Sequence, residues 1–120
     1  MKYAMLICGD PDEWEGTPPE EIAAGMNEIY AWFEKWQAAG KIANGSEQLE
    51  HPRTARTARG GPDGAPAVTD GPYLELKEVI GGVIFLEADD LDDATAVAAT
   101  WPGLARSPHN SVEVRPVVIQ

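Results

Sequence analysis

One cysteine, two histidines and nine basic residues are all that this chain of 120 residues offers to several large classes of chemistry. The lone Cys8 permits no internal disulfide and no cysteine-based metal cluster, which fits a reducing compartment. His51 and His109 stand far apart, so a metal site would need carboxylates, and none is expected. Nine Lys and Arg against 20 Asp and Glu leave a formal charge of −11. Such a chain is repelled by nucleic-acid phosphates and anionic lipid headgroups, so neither nucleic acid nor membrane is an expected partner. Long apolar runs are missing too. The N-terminal run Tyr3–Cys8 stops at Gly9-Asp10-Pro11, short of the roughly 18 residues of a membrane span and of the apolar core of a secretory signal. A soluble, cytoplasmic protein is the expectation. With no glycine-rich phosphate loop, serine elbow, HExxH or paired-cysteine motif, no cofactor is expected either.

What is present has the size and balance of one globular domain over residues 1–120, 43% hydrophobic and 24% charged. Tyr3–Cys8 is apolar on both parities and predicts a central strand. Asp10–Gly16 reads as an acidic loop carrying Trp14. Thr17-Pro18-Pro19-Glu20 is a helix start, Thr17 capping, Pro18 at the first helical position and Glu20 completing a capping box. Behind it Ile22, Met26, Ile29, Phe33 and Trp36 form one apolar stripe, and Gly40 stands where a left-handed C-cap belongs. Lys41–Leu49 is a weaker strand candidate. Residues 51–70 predict a hairpin turning at Gly60–Gly64, and Glu75–Glu78 a helical turn. Gly82–Glu87 is a second buried strand. Asp89-Asp90 caps a helix whose Leu91, Ala94, Ala98 and Trp101 share a face, ended by Pro102-Gly103. Ser111–Ile119 is the last strand.

The order is βαβ, hairpin, βαβ: an α+β, ferredoxin-like plan with an inserted hairpin, an antiparallel sheet and two helices on one face. The other face carries apolar residues beside Glu113 and Arg115. A second copy packed over it would make a homodimer enclosing a cavity walled by that pair; otherwise the pair points into solvent.

Several stretches resemble one family: the opening Met-Lys-Tyr-x-Met-Leu-Ile, Val68-Thr69-Asp70-Gly71-Pro72-Tyr73, Glu75-x-Lys77-Glu78, Gly81-Gly82, and Val112-Glu113-Val114-Arg115-Pro116-Val117. In this order they are similar to the YCII-related proteins of the DGPF type, with Tyr73 where the name motif has Phe. The resemblance covers essentially the whole chain. It implies a dimeric α+β barrel; relatives in the wider superfamily isomerise or eliminate small lactones, and the branch's genes lie beside sigma factors, which implies a regulatory association. The His of a His–Asp pair proposed for shorter members falls at Ile29, counting back from Gly40, so that pair does not carry over.

Asp70 either fixes its turn by accepting backbone hydrogen bonds or, if desolvated against the cavity, acts as a general base beside a carbonyl. Arg115 either anchors a carboxylate or pairs with Glu113 or Glu75. Tyr73 and Lys77 are secondary candidates. His51, Arg53, Arg56 and Arg59 form the one basic cluster, either attracting an anion or guarding an exposed strand edge. Trp14 either stacks on a ligand or packs on the helix that follows. Cys8 reads as a small buried hydrophobe and His109 as a surface loop residue. The expected activity is binding of a small carboxylate or carbonyl compound, with isomerase or lyase chemistry on a lactone- or enol-type substrate if Asp70 is catalytic. The alternative is a non-enzymatic ligand-sensing or partner-binding module linked to transcription regulation.

Overall fold

Apolar residues on both parities of the first segment call for cover on both sides, and the computed structural model, which describes residues 1–72, 76 and 78–119, puts β1 (Lys2–Gly9) at the centre of a sheet. Along the chain follow α1 (Pro11–Glu15), α2 (Pro19–Ala38), β2 (Glu47–Gln48), β3 (Arg56–Arg59), β4 (Ala67–Asp70), β5 (Val79–Glu87), α3 (Leu91–Ala98) and β6 (Ser111–Pro116). The sheet has order β2-β5-β1-β6 and every pairing in it is antiparallel. With β3 and β4 set apart as their own two-stranded hairpin, this is the expected ferredoxin-like arrangement with an insertion.

Register decides which side chains meet. Tyr3 lies opposite Leu86, and Met5 opposite Ile84 and Val114; Tyr3, Met5, Ile84 and Leu86 are all at most 3% exposed, under the helices. The alternate rows, Ala4–Phe85–Arg115 and Leu6–Val83–Glu113, lie on the opposite face. Between Ile7 and Cys8 the register slips, leaving Gly81 without an opposite residue, a bulge in β5.

On the covered face Trp32, Phe33 and Trp101 meet edge to face at centroid distances of 5.0–6.4 Å. Thr100 Oγ1 accepts from both indole N–H groups, Trp32 at 2.9 Å and Trp36 at 3.0 Å, and donates to Val97 O.

Local departures from expectation have physical reasons. Asp10–Gly16 is not a loop: Asp10 Oδ1 accepts from the N–H groups of Asp12 and Glu13 and starts the single-turn helix α1. That helix takes Thr17 from the expected capping box, since its hydroxyl donates to Glu13 O at 3.0 Å and Pro18 becomes an N-cap without a side-chain bond. Among the described residues there are therefore three α-helices, not two. Ile22 and Leu91, both in first turns and expected in the apolar stripes, are 48% and 46% exposed. The segment 41–49 contributes only an isolated bridge at Ile42 and the two residues of β2. The last strand ends at Pro116, short of the expected Ile119, and one further bond, Val117 N–H to Lys2 O at 3.0 Å, follows it. Glu75 of the expected turn 75–78, and the candidates Tyr73 and Lys77, lie outside the described residues.

Candidate functional site

Between α2 and the sheet is a cavity of about 410 Å³. Ile7 and Ile84 form its floor, Met26, Ile29 and Phe33 its roof, and Trp101 a wall. These are the residues whose helical and strand periodicity turns them to a common interior. Among the polar residues at its rim, two stand out. Ser46, just ahead of the edge strand β2, has a buried hydroxyl with no hydrogen-bond partner among the described residues. Arg106, in the segment leading to the opposite edge strand β6, is the one cation among the described lining residues, and Glu47 the one carboxylate. Arg106 Nη2 lies 3.2 Å from Glu28 Oε2, and its guanidinium rests on the backbone of α2 at Gly25, where a Cβ would come within 3.3 Å of Cζ.

Trp14 closes one end. Its ring lies over Gly9 and Gly81, where any Cβ would overlap it, and its Nε1 donates to Asn110 Oδ1 at 3.0 Å. Asn110 is aimed in turn by its own Nδ2, which donates to Gly103 O at 2.8 Å. Outside Trp14 lies a second recess of about 230 Å³ beside His51. There α1 is tied to the turn at Pro52–Thr54. His51 Nδ1 accepts from Arg53 N–H at 3.1 Å, which leaves Nε2 to donate to Asp12 Oδ1 at 2.7 Å. Arg53 Nη1 donates to Glu15 Oε2 at 2.7 Å and holds that carboxyl below its usual range. Both ring nitrogens of His51 are thus taken by the chain's own groups.

The other sequence candidates are dispersed. Asp70 ends β4 on the hairpin with its side chain 95% exposed, 3.5 Å from Arg56, so the desolvation a general base needs would have to come from another chain. Arg115 and Glu113 are brought together, Nε donating to Oε2 at 2.6 Å on the open sheet face. Arg59 lies in β3. Cys8 is half-buried on the open face, and desolvation followed by the nearby Glu113 charge pushes its thiol up, against nucleophilic use. His109 Nδ1 lies 3.2 Å from Glu78 on the surface. Neither Ser46 nor Arg106 stood out in the sequence; the available signal was Gly25, a glycine inside an otherwise strong helix. No helix among the described residues is long and apolar enough to cross a membrane, and none of their His, Cys, Asp and Glu side chains group as metal ligands.

Compared with known proteins, residues 1–118 match the family model described as YCII-related domain. An uncharacterised protein of Rhizobium meliloti (strain 1021) is 29% identical over 119 residues, 99% of this chain and 94% of that protein.

Proposed function

The chain belongs to the YCII-related family, a membership that specifies no reaction, and we propose that this member binds a small, largely apolar molecule in the cavity between α2 and the sheet. The observation that carries the reading is Ser46, a residue of the cavity wall whose buried hydroxyl has no hydrogen-bond partner among the described residues. A buried polar group without a partner costs about 1–3 kcal/mol, and an unfilled cavity costs stability as well. A ligand with an apolar body and one hydrogen-bonding group offsets both. The lining supports binding over turnover, because among the described residues it holds a single carboxylate and a single guanidinium and no acid–base pair.

The test uses N-phenyl-1-naphthylamine, a neutral fluorophore that brightens in apolar surroundings. Wild type should bind it saturably, one per chain. Met26→Trp, which fills the cavity from its roof, should abolish binding while thermal unfolding stays cooperative. A filled variant that binds as well as wild type would refute the cavity as the site.

We propose the open sheet face as the interface of a homodimer. Under a two-fold axis its apolar centre, Leu6, Val83 and Phe85, meets its own copy, and Arg115 of each chain can reach Glu113 of the other. Leu6→Lys should halve the mass seen by sedimentation; a monomeric wild type would remove the proposal.

A further inference from the structure

We infer that Arg106 is the anion anchor of the helix–sheet cavity and that the ligand is an elongated, apolar monocarboxylate, its acid on Arg106 and a hydrogen-bonding group at Ser46. This rests on the cavity reading above and adds to it the ligand's charge and shape.

Three observations converge on Arg106. Among the described lining residues of this cavity it is the sole cation, in a chain of formal charge −11. Among the described residues its guanidinium meets one carboxylate oxygen, Glu28 Oε2 at 3.2 Å, in a pair whose side chains are 37% and 53% exposed. Exposed pairs of this kind are weak, and a guanidinium has further N–H groups for a second, bidentate partner arriving from the apolar side. The third observation is Gly25. Glycine inside a helix is unfavourable relative to alanine, yet here it stands beneath the guanidinium, where a Cβ would come to 3.4 Å from Nε and Nη2 and 3.3 Å from Cζ. The helix gives up stability at the spot where Arg106 is seated.

Shape follows from topology. Ser46 precedes one edge strand and Arg106 lies in the segment feeding the other. Four strands at roughly 4.8 Å spacing separate those edges by about 14 Å. A ligand meeting both groups is therefore extended, with its apolar middle against Ile7, Ile84 and Phe33. The planar fork of the guanidinium suits a carboxylate.

The experiment compares 2-naphthoate with its uncharged counterpart 2-naphthalenemethanol by isothermal titration calorimetry. Wild type should bind the acid about tenfold more tightly than the alcohol, as a charge-assisted pair provides. Arg106→Gln should bring the ratio to about one, while Glu28→Gln, which removes the competing carboxylate, should raise acid affinity alone. Gly25→Ala should strengthen the helix yet weaken the acid, a combination that a purely structural role for Gly25 does not produce. Equal affinities in wild type, or a ratio that survives Arg106→Gln, would overturn Arg106 as the anchor and leave the cavity standing. Failure of both probes to bind would overturn the cavity reading and the anchor with it.

Discussion

At Gly9 and Gly81 a methyl group would run into the indole of Trp14, so each is glycine for the sake of a distant side chain and neither has a positive φ. Gly81→Ala should push Trp14 off Asn110 and cost about 1–3 kcal/mol, as overpacking generally does. Urea unfolding gives the energy, and a shift in tryptophan emission reports the displaced ring. Thr100 is the opposite case, one hydroxyl serving two indoles. Thr100→Val keeps the shape but strands both N–H donors, for an expected loss of about 1–2 kcal/mol, while Thr100→Ser should recover most of it. Neither dependence was legible in the sequence. Trp14 stands 67 positions before Gly81, and pairs so separated become neighbours only through the fold.

Helix ends were the most readable elements where their signals were local. At the end of α2, Gly40 has φ +73°, Gly40 N–H donates to Gln37 O and Lys41 N–H to Trp36 O, the paired bonds of a Schellman motif. Gly40→Ala should cost about 1 kcal/mol through its left-handed backbone, measured as a lower thermal midpoint. The start of the same helix departs from expectation because Thr17, which as a cap would accept from a backbone N–H, instead donates its hydroxyl to Glu13 O of α1. Lys41 then joins α2 to α3: its Nζ donates to Asp93 Oδ2 at 2.6 Å, and Asp89 N–H donates to the same oxygen at 2.9 Å. The Lys41 bond first, and the Asp89 bond second, hold the Asp93 carboxyl below its ordinary range. Because the unfolded chain protonates this group at about pH 3.9, its contribution is complete above that value and is lost as pH falls through the lower folded one. The stability gap between wild type and Asp93→Asn should therefore be constant near neutrality and shrink below about pH 4.

The order of the main strands and of α2 and α3 could be read from periodicity, because a sheet covered by helices on one face imposes its repeat on the segments that build it; the single-turn α1 carries no such repeat. The cavity could not. It is the space left where the stripe of α2 fails to close on β1 and β5, a property of two surfaces and not of either pattern. The basic cluster was legible as a cluster but not as ties: His51 and Arg53 clamp α1 to the body, while Arg56 and Arg59 ride on the hairpin. Among the described residues its two strands pair with each other and neither joins the main sheet. Replacing residues 56–70 by a short Gly-Ser link should leave cooperative unfolding within about 1 kcal/mol of wild type, since an isolated two-stranded ribbon adds little stability. A collapse of the transition would show that the body depends on it.

At the hairpin's base Gly71 N–H donates to Ala55 O at 2.7 Å, so the chain leaves and re-enters the body at one point. For heredity that junction works as a socket: the stretch it closes can lengthen, shorten or carry a foreign recognition sequence without any strand of the main sheet changing partner. Divergence among descendants of this fold should therefore concentrate in the turn between β3 and β4, positions 60–66.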